Sequence, residues 1–280
     1  MEFLNLVLIA PIADMIEYPS FLVEVVFGGL MSGVMYSLVA LGFVLIFKAS
    51  GVFNFAQGVF ALFAALTLVG LMNGTMPFTL EKSLPELPAW AAVIVTFIVM
   101  IGLAIAVERI VLRPLVNQDH IIMFMSTIGL AFVLEGLGDT IWGSEVKALD
   151  VGIPTGNFLI GEIQIQIFDL WAAGIAAFLV VVLALFFQYT RTGRALRAVA
   201  DDHQAALSVG IPLKNIWIIV WSVAGLVALV AGIMWGSKSG VQFSLSLIAL
   251  KALPVLILGG FTSVPGAIIG GLIIGVGEKV

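Results

Sequence analysis

Long apolar stretches, broken at short polar intervals, constrain this chain more than any other feature. A helix needs about 20 consecutive apolar residues to cross the hydrocarbon of a bilayer, and several stretches here reach that length. Inside hydrocarbon every backbone amide and carbonyl must be satisfied locally, which selects α-helices for these stretches. Hydrophobic residues make up 61% of the chain and charged residues only 10%. An ordinary soluble domain carries about a quarter charged residues. A chain of 280 residues has no single core large enough to hide so much apolar surface. The composition fits lipid as solvent, not water.

The expected fold class is therefore all-α: a polytopic transmembrane helical bundle forming one domain over 1–280. Apolar runs predict about eight membrane-embedded segments, near 21–47, 52–72, 89–112, 121–142, 167–189, 215–236, 246–260 and 264–279. The first carries Gly29, Gly33 and Ser37 on one face. Small residues at four-residue spacing let helix backbones approach closely, where lipid gives no hydrophobic drive to associate. The N-terminal MEFLNLVLIAPIADMIEYPS lacks the basic start of a signal peptide. Its apolar run over 4–13 is too short to span, so an interfacial segment ended by Pro19 is expected. Disulfides and cysteine-ligated metals are excluded by the absence of cysteine.

Basic residues orient such a protein, because loops rich in Lys and Arg stay in the cytoplasm. Connections after the first, third and fifth segments hold Lys48, Arg109, Arg113, Arg191, Arg194, Arg197 and Lys214. The opposite connections hold Lys82, Lys147 and Lys238 among acids such as Glu81, Glu86, Glu145, Asp150 and Glu162. That imbalance places the Arg-rich loops in the cytoplasm and the N-terminus outside. The outer stretch 143–169 has its own texture. Gly152, Pro154 and Gly156 punctuate it, and EIQIQIF over 162–168 alternates at strand period, as a small hairpin, an amphipathic lid or a linker would.

Functional candidates lie where polarity interrupts this pattern. The cytoplasmic loop over 190–214 reads TRTGRALRAVADDHQAALSVGIPLK, with Gly193 and Gly210 near its ends. Between them Ala195, Leu196, Ala198, Val199, Ala205, Ala206 and Leu207 predict a short helix with a small, mostly apolar face. Arg194 and Arg197 precede Asp201 and Asp202, the weaker order for helical ion pairs. Such a helix suits a cleft on another protein, and an ordinary charged interfacial loop fits the same residues. A second candidate is Asn54, Phe55, Gln57 and Gly58, where two amides enter an apolar run beside Gly51 and Gly58. Polar groups at membrane depth are tolerated where they line a cavity, and they also glue helices together. Glu135 and Asp139 share one face of the fourth segment. Plain hydration or helix packing accounts for them, with a proton- or ammonium-binding role as the functional alternative. Lys251 heads the seventh segment and is expected to snorkel to the interface.

Three stretches carry a resemblance to a known family. The first is GGLMSGVMYSLVALGFVLIFKASGVFNFAQGVFA over 28–61, with an N-F-A-Q-G core at 54–58. RTGRALRAVADDHQAALSVGI over 191–211 is the second, followed by an Ala/Gly-rich helix. The third is KALPVLILGGFTSVPGAIIGGLIIG over 251–275. Their order and spacing, across a little over a third of the chain, resemble the permeases of branched-chain amino acid ABC importers, a group that includes urea and short-chain amide importers. The resemblance implies a bacterial inner-membrane subunit working with a second similar permease, two cytoplasmic ATPases and a periplasmic solute-binding protein. It implies that Gly193, Arg194, Arg197, Ala200, Asp201, Ala205 and Gly210 belong to a coupling loop seated in the ATPase, and that Asn54, Phe55, Gln57 and Gly58 face the pathway. Similar permeases continue past the Gly-rich eighth segment, so the chain, ending at Glu278, Lys279 and Val280, is expected to lack its C-terminal end.

Enzyme signatures are missing. No Gly-x-x-x-x-Gly-Lys-Ser/Thr loop is present to hold ATP phosphates, and no Gly-x-Ser-x-Gly elbow is present for hydrolysis. His120 and His203 stand far apart and form no metal-ligand spacing. The reading is a non-catalytic subunit without cofactor, metal or nucleic-acid partner, translocating a small solute, most simply a branched-chain amino acid. An ion-coupled transporter using Glu135 and Asp139, or a membrane scaffold, would be the rival classes.

Overall fold

The structure is a computed structural model and describes residues 17–280 apart from 116–117, 162, 202–205, 207, 209 and 212. The N-terminal 4–13 run thus lies outside the described residues. Nine helices and one hairpin are named here: α1 (Pro19–Ser50), α2 (Gln57–Met72), α3 (Ala89–Val107), α4 (His120–Trp142), β1 (Asn157–Ile160), β2 (Ile163–Gln166), α5 (Ile167–Tyr189), α6 (Arg191–Asp201), α7 (Leu213–Ser239), α8 (Ile248–Gly259) and α9 (Val264–Lys279). Each of the eight expected apolar segments is a helix at its expected place.

Five of these helical stretches are long and apolar enough to cross a membrane: Pro19–Ser50, Ala89–Leu115, His120–Trp142, Ile167–Tyr189 and Asn215–Ser239. The second of them runs on from α3 through a π turn, Glu108–Leu112, and a 3-10 turn, Arg113–Leu115. Inside the π turn Glu108 is buried, and Arg113 holds its carboxylate at 2.7 and 3.1 Å. The last two segments form a broken pair, Phe243–Gly259 and Val264–Lys279, bent by 117°. Helix α2 has only 16 residues, about 24 Å at 1.5 Å per residue, short of the roughly 30 Å hydrocarbon core. It is surrounded by protein instead, buried from Gln57 to Gly70.

Helices α1, α2 and α7 form the centre, while α3, α4 and α5 turn large apolar side chains such as Ile98, Phe132 and Phe178 outward, as lipid-facing helices do. Proline at the first position starts α1, and Gly51 stops it with φ +69 and a bond from its N–H to Phe47 at 2.7 Å. The small face predicted on α1 meets α9. A Cβ on Gly33 would stand 2.6 Å from the carbonyl oxygen of Gly271, and one on Gly29 2.7 Å from the Cα of Val276. Ser37 Oγ donates to Ile268 at 3.2 Å across the same seam. Close backbone approach through small residues is the packing that membrane helices favour.

The expected strand alternation appears as a two-residue-loop hairpin, with Asn157 opposite Gln166 and Ile160 opposite Ile163. It lies against α1, where Gln164 N–H donates to the Glu24 carboxylate at 3.1 Å. Glu24, Gln164, Gln166, Asp169 and Lys279 line one cavity at this end of the molecule, about 240 Å³ in volume. Lys48, Gly193 and Arg197 line another at the opposite, Arg-rich end.

Candidate functional site

At the Arg-rich end the chain leaves α1 at Gly51 and enters α2 at Gln57 without a regular helix between them. Six residues of non-helical backbone inside a membrane protein need internal hydrogen bonds. Asn54 supplies the first. Its Oδ1 accepts from Ala56 N–H at 3.1 Å, an Asx turn, and its Nδ2 donates to Gln57 Oε1 at 3.4 Å. Gln57 Nε2 in turn donates to the Ala224 carbonyl of α7 at 3.2 Å and rests on Gly42 of α1. Phe55 N–H donates to Thr127 of α4 at 3.1 Å, and Thr127 donates to Phe124 at 2.8 Å. Asn54, Gln57 and Thr127 are all buried. Gly58 faces the Ser246 carbonyl so closely that any Cβ would collide with it.

Aromatic rings cover the break. Phe53 stacks on Phe43 with centroids 4.7 Å apart and meets Phe124 at 6.1 Å and Phe261 at 6.2 Å. Phe47 meets Phe261 at 5.2 Å. These phenylalanines come from α1, the break, α4 and the α8–α9 bend, so four pieces of the fold converge on one apolar plug. Trp217 Nε1 of α7 donates to Ala49 at 3.1 Å beside it. Both amides direct their hydrogen bonds into protein.

The predicted loop helix is α6. Gly193, expected to punctuate its start, lies within the first turn, where a Cβ would strike the Phe187 carbonyl of α5. Thr190 caps the helix, accepting from Gly193 N–H at 3.0 Å. Gly193, Leu196 and Val199 are buried on one face, with Ala195 and Ala200 at its margin, while Arg191, Arg194 and Arg197 are exposed on the other. Arg194 and Arg197 fold back to donate to Tyr189 and Gln188, each at 3.1 Å. Cationic groups on the last carbonyls of α5 complement its dipole. Gly210 is exposed with φ +82. Asp201 ends α6, its side chain is outside the described set, and Ala205 lies outside the described residues altogether.

Leu45, Lys48, Phe187, Gly193, Leu196 and Pro265 line the cavity beside this helix. Helix α6 packs on α5, α1 and α7, with Val264 and Pro265 of α9 lining the cavity beside it. Glu135 and Asp139 are half-buried and exposed respectively, and neither joins an ion pair among the described residues. Among the described residues no group of three His, Asp or Glu could hold a metal. Thr127, Phe124 and Phe261 escaped the sequence reading. Each is a single ordinary residue in an apolar run, and only their convergence marks them.

The described residues form a helical bundle with five stretches long and apolar enough to cross a membrane and one bent helix pair. Residues 25–280 match the family of the branched-chain amino acid transport system, permease component, and the chain belongs to that family. It is a multi-pass permease subunit of the inner membrane. The high-affinity branched-chain amino acid transport permease BraD of Pseudomonas aeruginosa is 32% identical over 270 residues, 89% of this chain and 83% of that protein. LivH of Escherichia coli, with the same description, is 29% identical over 93% of this chain and 86% of its own length. The L-arabinose ABC transporter permease AraH of Azospirillum brasilense is 28% identical over 76% and 69%. No solved structure gives a significant match.

Proposed function

We propose that this chain is the membrane-spanning subunit of an ATP-driven importer for branched-chain amino acids. The observation that carries the substrate class is the similarity to BraD and LivH over nearly the whole of each chain, against the shorter match to a sugar permease. A second, similar permease, two ATPases on the cytoplasmic side and an external solute-binding protein complete the assembly. ATP hydrolysis takes place in those ATPases.

The Arg-rich end faces the cytoplasm on the charge rule, and the segment 190–214 is the coupling element. An ATPase groove holds α6, and ATPase closure moves it as a rigid body. Its buried face, Gly193, Leu196 and Val199, passes that motion to α5, to α1 near Leu45 and Lys48, and to α9 at Pro265. Phe47 lies on α1 and Phe261 in the bend just before α9, so the shift parts the plug. Asn54, Phe55, Gln57 and Gly58 then border the opened path. The access switch is thus a packing event in this chain, driven by chemistry elsewhere.

Reconstitution in vesicles with the companion permease, the ATPases and the binding protein tests the reading. Leucine uptake is expected only when ATP is supplied. Uptake that continues without ATP, or that is driven by an ion gradient alone, refutes it.

A further inference from the structure

One charged cluster lies outside the plug, between α1 and the α8–α9 pair. Lys251 Nζ of α8 donates to Glu278 Oε1 of α9 at 2.6 Å. Tyr36 of α1 donates its hydroxyl to Glu278 Oε2, and Lys251 stands 3.4 Å from the same hydroxyl and 5.7 Å from the centre of its ring. Tyr36 is buried at 2% exposure, whereas the Lys251 and Glu278 side chains are 52% and 40% exposed. Trp235 stacks on Tyr36 with centroids 5.5 Å apart. Its indole N–H is buried and has no hydrogen-bond partner among the described residues. Lys251, expected to snorkel to the interface, is held here by an acid and a buried phenol.

Leu247, Leu250, Ile257, Ile269 and Ile273 of the same bent helix pair are exposed, and a half-exposed ion pair beside apolar surface of this kind is costly in hydrocarbon. Ionisable groups of this kind mark water-filled paths and their ligands. Depth agrees. Trp235 lies one turn from Lys238, which pairs with Asp169 at 2.6 Å beside the Glu24 cavity, at the end opposite the Arg-rich one. The Trp235 side of the cluster therefore stands about one helical turn from that pair.

We propose that Lys251, Glu278 and Tyr36 form a recognition station for a zwitterionic amino acid at the mouth of the pathway. The station rests on the amino-acid import reading above. The solute carboxylate accepts from Lys251 while its ammonium donates to Glu278, so one ion pair is exchanged for two without net charge. Tyr36 keeps the Glu278 carboxylate in place from α1 during that exchange. The exposed Leu247 and Leu250 accept an aliphatic side chain. A sugar has no charged pair to offer and gains nothing from this arrangement.

The test uses the complete reconstituted assembly and ATP-driven uptake of radiolabelled leucine. Wild type is compared with the neutral double variant Lys251→Met with Glu278→Met, and with the exchanged pair Lys251→Glu with Glu278→Lys. Replacing an ion pair by apolar residues of similar size is usually tolerated structurally, so the neutral pair is expected to assemble. Its leucine uptake is expected to fall about tenfold, the weight of one charge-assisted hydrogen bond. The exchanged pair keeps an ion pair but reverses it toward Tyr36, and its uptake is expected to stay low. Uptake within about twofold of wild type in either assembled variant overturns the station, because the pair then serves packing only. Should the neutral pair fail to assemble, the exchanged pair decides. A wild-type assembly that takes up no amino acid overturns the import reading itself, and the two failures are told apart by that control.

Discussion

Gln57 Nε2 donates to the Ala224 carbonyl across 3.2 Å, and this one bond ties the helix break to α7. Gln57 is also the acceptor for Asn54, so a single side chain connects α1, the break and α7. Replacing it by Leu keeps the volume but leaves Asn54 Nδ2 buried without its acceptor. A loss of about 1–3 kcal/mol follows for a buried donor left unsatisfied. Thermal denaturation of the purified complex measures it, and an unchanged midpoint would show that the amide is dispensable.

The α1–α9 seam gives a paired prediction. Gly33→Ala places a Cβ 2.6 Å from the Gly271 carbonyl oxygen, a backbone atom that cannot swing away. Overpacking of this kind costs about 1–3 kcal/mol. Gly28→Ala, in the same helix with nothing within 4 Å of its new Cβ, is expected to be neutral or slightly stabilising. Detergent melting curves of the two variants should separate them clearly, in that order.

Glu108 is buried in the π turn with Arg113 as its ion-pair partner at 2.7 Å. Arg113→Met strands a buried carboxylate and should cost about 3 kcal/mol. Arg113 is itself 41% exposed, so the figure reflects the stranded acid more than the lost attraction. Adding Glu108→Leu should restore most of the loss. A double variant as unstable as the single one would mean that the pair has another duty.

Replacing 198–201 by a Gly-Ser linker removes the second half of α6 and leaves every membrane-crossing helix intact. Membrane insertion is expected to be normal. Affinity for the ATPase should fall by about 2 kcal/mol or more, as for loss of an interface anchor. Pull-down of the ATPase with the tagged permease reads this out, and full recovery of the ATPase would remove α6 as the coupling contact.

The sequence by itself determined the all-α membrane bundle and the places of its helices. Apolar runs bounded by Gly51, Pro88 and the Arg191–Arg197 cluster fix helix positions through transfer free energy, which depends on composition alone. It also exposed Gly29, Gly33 and Ser37 as a contact face, because four-residue spacing is a local property. The 190–214 segment and the N-F-A-Q-G core were legible as polar interruptions of the apolar pattern, but not their state. Tertiary structure decided that Asn54 and Gln57 are satisfied inside protein, that α2 is enclosed rather than a full-length span, and that the last two segments form a broken pair. Only folding brings Phe43, Phe53, Phe124 and Phe261 together, or sets Lys251 of α8 between Tyr36 of α1 and Glu278 of α9. In an apolar chain every helix looks alike to its neighbours in sequence. Which polar group meets which is fixed by close packing over distances of tens to hundreds of residues, and no local pattern encodes that.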